Sequence, residues 1–194
     1  MRRTQWLFAA AVVLFIVAAC NRAKPAESQL RPTATIKDIM DSMVDPSADF
    51  LWDSVATIVS AAGTEERRPR TDEEWKNVHR RAIELLEATN LLLLEGRHVA
   101  KSGEKSENPE VELQPEQIEK LINADRVAWV NFAHGLHDAA MPALKATEVR
   151  DAEALLDAGE KIDTACENCH LKYWYPPNEQ AEKAKQGAGS PRKS

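Results

Sequence analysis

Glycine is scarce in this chain, seven in 194 residues, and nothing in it resembles a succession of β-branched strands. Alanine, leucine and glutamate abound instead, and because they lose little rotamer freedom in a helix the balance favours helix over sheet. Cysteine is rarer still, at Cys20, Cys166 and Cys169. The last two enclose only two residues, a loop too short to staple a fold, which excludes a disulfide-built scaffold. Long apolar runs are missing as well: Trp6 to Ala19 is too short to span a bilayer comfortably. Basic charge is in deficit, 25 Lys plus Arg against 31 Asp plus Glu, which argues against a nucleic-acid partner. With 43% hydrophobic and 29% charged residues, the chain has the composition of one ordinary globular domain.

The N-terminal stretch reads as a targeting signal. Arg2 and Arg3 precede the apolar run, which ends in Val17-Ala18-Ala19-Cys20. Small residues directly before a cysteine resemble the bacterial lipoprotein cleavage box, in which that cysteine is acylated and becomes the new N-terminus. An ordinary cleaved signal or a retained anchor are the alternatives. On this reading residues 1–19 are removed, Cys20 carries the lipid, and residues 20–35, polar and containing Pro25 and Pro32, form a tether. Removal of the first 19 residues leaves 23 basic against 31 acidic side chains, a net charge of −8. Asn21 is not the acidic residue associated with inner-membrane retention in such lipoproteins, so the resemblance favours the outer membrane, on its periplasmic side.

Residues 36–177 are expected to form one all-α domain, a four-helix bundle without strands, followed by a disordered tail over residues 178–194. The first helical stretch runs from Ile36 to Ala62, with Ile36, Met40, Met43, Phe50, Leu51, Val55 and Ile58 near one face. Pro46 interrupts it, giving either a kinked helix or a short helix and then a longer one capped by Asp45. The second spans Thr71 to Glu95. It opens on the capping box Thr71-Asp72-Glu73-Glu74, buries Trp75, Val78, Ala82, Leu85 or Leu86, and Thr89, and stops at Gly96. Arg97 to Leu113 is a polar connection, long enough to cross over or to be mobile. The third helix starts near Pro115 and runs through Ile118, Leu121, Ile122, Val127, Val130, Phe132 and His134 toward Met141, where Pro142 bends or ends it. The fourth starts between Thr147 and Asp151, presents Val149, Ala152, Leu155, Ile162 and Ala165, and is stopped by Tyr173 to Pro177.

That last helix ends in Cys166-Glu167-Asn168-Cys169-His170. Covalent attachment of haem c requires two thiols that add to the two vinyl groups and an imidazole that reaches the iron from the same side, and C-x-x-C-H supplies all three. A zinc site would need a fourth ligand, which His79 or His137 would have to provide. A thioredoxin-like site expects its C-x-x-C at the start of a helix in a βαβ unit, whereas this one closes the last helix of a helical chain.

The placement of this motif, followed by Leu171-Lys172-Tyr173, resembles the class II c-type cytochromes, cytochrome c′ and its low-spin relatives. Their pattern is a four-helix bundle with a single C-x-x-C-H near the C-terminus. The family usually shows Tyr-Arg just after the haem histidine, where this chain has Tyr173-Trp174-Tyr175-Pro176. The resemblance implies one covalent haem on Cys166 and Cys169, His170 as proximal iron ligand, and a distal face covered by the first helix. Low-spin members place a methionine there, which makes Met40 the first candidate and Met43 the second. A thioether favours ferrous iron, raises the potential and leaves no open site for a gas. Both methionines could equally be flexible core fillers.

His134 and His137, three apart on the third helix, form only a weak metal signal without a cysteine or carboxylate partner, and His79 and His98 read as exposed or hydrogen-bonded. Trp52, Trp75, Trp129 and Phe132 are expected in the core, some of them against the porphyrin. The function expected is single-electron transfer by a monohaem cytochrome, not an enzyme, between redox protein partners, acting alone or as a homodimer at a membrane. The rivals are a five-coordinate gas-binding protein and a lipoprotein whose haem is structural.

Overall fold

The computed structural model describes residues 30–177, so the signal peptide, Cys20 and the tail from residue 178 lie outside the described residues. The chain divides into a unit Met1–Arg31, of which only Leu30 and Arg31 are described, and a unit Pro32–Ser194 that holds every element below. The fold is mostly helical, with one small two-stranded sheet. No described helix is long and apolar enough to cross a membrane.

The first limb is one helical path in three parts: α1 (Ile36–Ile39), a π-helical turn (Met40–Val44) and α2 (Asp45–Ser54). Thr35 caps α1 reciprocally with Asp38, each side chain accepting the other's backbone N–H. The π turn follows from Pro46, which offers no N–H and whose ring crowds the carbonyl four residues before it. The backbone widens instead, and the Asp45 N–H bonds back to the Met40 carbonyl. Asp45 is therefore inside the helical path, with helical dihedrals of −59° and −51°, not the cap of a separate helix.

The expectation that this limb continues to Ala62 fails. Residues β1 (Ala56–Ser60) and β2 (Gly63–Arg67) form an antiparallel hairpin, Ala56 opposite Arg67 and Ser60 opposite Gly63. Thr57, Ile58 and Val59 are consecutive β-branched residues, stiff in a helix and suited to a strand. Gly63 takes the positive φ of 127° that the tight turn requires. Ile58 consequently leaves the core face, and Val59 is 77% exposed. Phe50, also placed on the inner face by spacing, lies at the surface beneath the Arg81 guanidinium, 5.7 Å from its ring centre.

Helix α3 (Asp72–Leu91) starts at the expected capping box and buries Trp75, Val78, Ala82, Leu85, Leu86 and Thr89. It ends a turn earlier than Gly96 suggests. The carbonyls of Leu91, Leu92 and Leu93 accept from Arg97, Trp129 and Arg126 respectively, so tertiary donors replace the next helical turn. The connection that follows is tied down: the His98 and Val99 carbonyls accept the free N–H groups of Ile36 and Lys37, and Leu113 is buried with its N–H on the Trp174 carbonyl.

The single third helix of the sequence reading is two, α4 (Pro115–Ala124) and α5 (Arg126–Val149). They break at Asp125, whose dihedrals of −141° and 72° are non-helical and whose side chain caps the Ala128 N–H. The new start rotates α5, leaving Val127 71% exposed and His134 at the surface. Pro142 does not end α5. Ala140, Ala143 and Ala146 are buried around it, and packing of that face offsets the roughly 3 kcal/mol an internal proline costs. Arg150, left-handed at φ 58°, reverses the chain, and Asp151 caps α6 (Ala152–Tyr173) with bonds to the N–H groups of Glu153 and Ala154.

Helix α5 packs along both α3 and α6, while α2 lies against α3 and α6. Their shared core includes Leu51, Val78, Leu85, Leu155 and Ile162, all at most 2% exposed. Each such side chain contributes roughly 1.5–3 kcal/mol by leaving water. Gly159 lets α2 come close, because Trp52 sits directly on it and donates its indole N–H to the Gly159 carbonyl at 3.0 Å.

Candidate cofactor-attachment site

The C-terminal turns of α6, the residue that follows α3 and the N-terminal half of α5 meet at one place in the fold. The π turn of the first limb closes over them. Between these elements lies a narrow apolar cleft lined by Met40, Val44 and Asp45 from the first limb, by Leu92, and by Trp129, Phe132, Ala133 and Leu136 of α5. From α6 it is lined by Ala165, Cys166, Cys169 and His170. The motif is helical throughout, which sets the two cysteines three residues apart on one face with His170 beside them.

Met40 thus reaches the same cleft as the cysteines. Met43 is half-buried against the core but is not one of the lining residues. Trp129 and Phe132 form the opposite wall and meet Tyr173 edge-to-face at 5.3 and 5.8 Å. Trp75 is buried in α3, and Trp52 is occupied by Gly159, so neither borders the cleft.

The electrostatics of the motif separate its rival chemistries. Both sulfurs are free thiols, and burial pushes Cys166 and Cys169 each up to about 12, with nearby carboxylates adding to the effect at Cys166. They also stand at the C-terminal, electron-rich end of a helix dipole. A redox-active dithiol needs a lowered thiol pKa instead. Burial lowers His170 below its ordinary value, keeping the ring neutral with a lone pair to offer. Among the described residues no group of three or more His, Cys, Asp and Glu is arranged to hold a metal ion.

The other histidines are dispersed. His79 shares a 2.8 Å hydrogen bond with Thr147, His98 pairs with Glu119 at 3.0 Å, His137 stands beside Asp138 and His134 faces solvent. None of them borders the cleft, so the fourth zinc ligand sought at His79 or His137 is not supplied there.

The residues after the motif return over it, which spacing alone does not show. The N–H groups of Trp174 and Tyr175 both bond to the His170 carbonyl, at 2.8 and 3.0 Å. This turn brings Trp174 edge-on to the His170 ring at 4.9 Å. It also brings the Tyr175 hydroxyl to 3.5 Å from His170 Nδ1 and 2.6 Å from Glu167 Oε2. Partial burial and the Glu167 carboxylate push Tyr175 up to about 12, so the phenol keeps its proton. The signal in the sequence was Tyr175 itself, five residues beyond His170 and just before the prolines that stop the helix.

The donor set suits covalent haem: two thiols on one helical face, a neutral imidazole next to them, a thioether across the cleft and aromatic walls. The Tyr173 hydroxyl, buried against the aromatic wall, has no hydrogen-bond partner among the described residues. The cleft itself encloses only about 20 Å³ of free room. Comparisons with family models, curated proteins and solved structures find no match to this chain.

Proposed function

We propose that this chain is a monohaem c-type cytochrome that passes single electrons between redox protein partners. The observation that carries it is the convergence of Cys166, Cys169, His170 and Met40 on one apolar cleft. In this reading the helical limb 36–54, α3, α5 and α6 make up a four-helix bundle that resembles that of the class II c-type cytochromes, with α6 as the attachment helix.

Cys166 and Cys169 would hold the cofactor as thioethers, and His170 and Met40 would supply the iron ligands. When bound, haem c supplies a one-electron iron couple. The chain's own residues do the rest. Leu92, Trp129, Phe132 and Leu136 exclude water and keep the local dielectric low, which tunes the potential. Leu171 and Trp174, 37% and 40% exposed beside the motif, offer an apolar contact through which a partner approaches. Outer-sphere transfer needs no catalytic acid, base or nucleophile. Acylation of Cys20 would hold the domain at a membrane on the periplasmic side, the outer membrane by preference.

The test is maturation of the chain with a haem c attachment system. Haem that survives denaturation and is lost in a Cys166→Ser, Cys169→Ser double variant is the expected outcome, with a low-spin spectrum that turns high-spin in Met40→Ala. Unchanged ligation in both Met40→Ala and Met43→Ala overturns the methionine assignment. A high-spin wild-type spectrum that responds to carbon monoxide replaces electron transfer by gas binding. A wild-type chain without covalent haem overturns the reading as a whole.

A further inference from the structure

The Tyr175 hydroxyl stands between the Glu167 carboxylate and the His170 ring. At neutral pH the Glu167 carboxylate can only accept, so at 2.6 Å the single Tyr175 proton points to it. The phenol oxygen then turns a lone pair toward His170 Nδ1, 3.5 Å away at the long end of the hydrogen-bonding range. Only an Nδ1–H can donate into that lone pair. An Nδ1–H donated into that lone pair would leave Nε2 unprotonated, the form a metal-ligating imidazole requires.

We propose that Tyr175 and Glu167 are positioning residues that fix the His170 tautomer and strengthen its imidazole as an iron ligand, an inference that rests on the haem reading above. Polarisation runs along the chain: the carboxylate draws the phenol proton, the phenol oxygen becomes a better acceptor, and Nδ1–H gives up electron density to Nε2. A stronger donor stabilises ferric over ferrous iron, so the pair lowers the reduction potential. The third ring, Trp174, edge-on to His170, limits its rotation while this contact is made. Neither residue faces the cleft, so removing them leaves the walls of the cleft intact.

The tautomer is read first in the full-length chain without haem, by ring 15N resonances of His170 at fixed pH. Nδ1–H is expected in the wild type and a shift toward the Nε2–H form, which free imidazole side chains prefer, in Tyr175→Phe. In the haem-loaded chain the reduction potential is measured with Tyr175→Phe, Glu167→Gln and the double variant. Tyr175→Phe should raise the reduction equilibrium constant about tenfold, about 59 mV for a one-electron couple, with melting temperature and haem content unchanged. Glu167→Gln should shift it less, and add nothing in the Tyr175→Phe background. An unchanged tautomer and potential in Tyr175→Phe overturns the relay, as does an equal effect of Glu167→Gln in both backgrounds, which would mark a through-space charge. Absence of covalent haem in the wild type, with the tautomer result standing, overturns the haem reading and the ligand-tuning role but leaves the positioning contact shown.

Discussion

Gly159→Ala tests how the first limb is seated on α6. A Cβ added at Gly159 would lie 2.9 Å from Trp52 Cδ1 and 3.3 Å from Nε1, both in a ring that also donates to the Gly159 carbonyl. Two effects oppose each other. Alanine in a helix interior gains about 1 kcal/mol over glycine, whereas forcing an extra methyl into a close-packed contact costs about 1–3 kcal/mol. The clash wins, because Trp52 cannot retreat without stretching its hydrogen bond. The net loss is up to about 2 kcal/mol, a fall of up to roughly 8 °C in melting temperature for a domain of this size. In a Trp52→Leu background the obstacle is gone and the same substitution should raise the melting temperature by roughly 2–4 °C. Far-UV circular dichroism melts of the four proteins give the coupling directly. A stabilising effect of Gly159→Ala in the wild type, or an equal effect in both backgrounds, would show that Trp52 does not rest on Gly159. Because this contact sets the approach of α2 to α6 two turns before Cys166, Gly159→Ala should also lower the yield of covalent haem.

Thr71→Ala removes the hydroxyl that caps α3, where Glu74 reciprocates to the Thr71 N–H at 2.8 Å. It should cost about 1 kcal/mol, visible as a shifted urea midpoint with unchanged slope, and an unmoved midpoint would refute the cap. Asp45 borders the cleft, and partial burial together with Asp41 and Asp49, one turn to either side, holds its carboxyl above the ordinary 3.8. A raised carboxyl pKa means the folded state takes the proton first, so this group's stability contribution falls as pH rises through the window above 3.8. Asp45→Asn should therefore stabilise the protein at pH 7, with the advantage vanishing below the unfolded value; urea midpoints that differ equally at pH 7 and pH 3 would refute this.

Much of the helical frame was legible in the sequence because it depends on neighbours in the chain. The capping box at Thr71, the Asp151 start of α6 and the buried face of α3 each follow from residues three or four apart. Spacing also placed Cys166, Cys169 and His170 on one helical face, since i, i+3 and i+4 are set by the helix itself. Where it failed, a local pattern met a competing force. Ile58 fits a helical face but belongs to a β-branched run that folds as a hairpin, and Pro142 reads as a stop although buried alanines hold α5 together around it.

Tertiary structure decided what no local rule contains. Pairing of the Leu91, Leu92 and Leu93 carbonyls with side chains from elsewhere ended α3 early. The widened turn before Pro46 sits over α6, so that Met40 borders the cleft and Met43 does not. The Tyr175 hydroxyl comes to His170 only because two backbone bonds to the His170 carbonyl curl the chain back. The sequence by itself determined which residues could anchor and ligate a haem, because that chemistry depends on residue type and helical spacing. Which of them share a cleft depended on packing between segments as far apart in the chain as Met40 and Cys166, and which stand behind His170 on how the chain turns after the helix; periodicity carries no information about either.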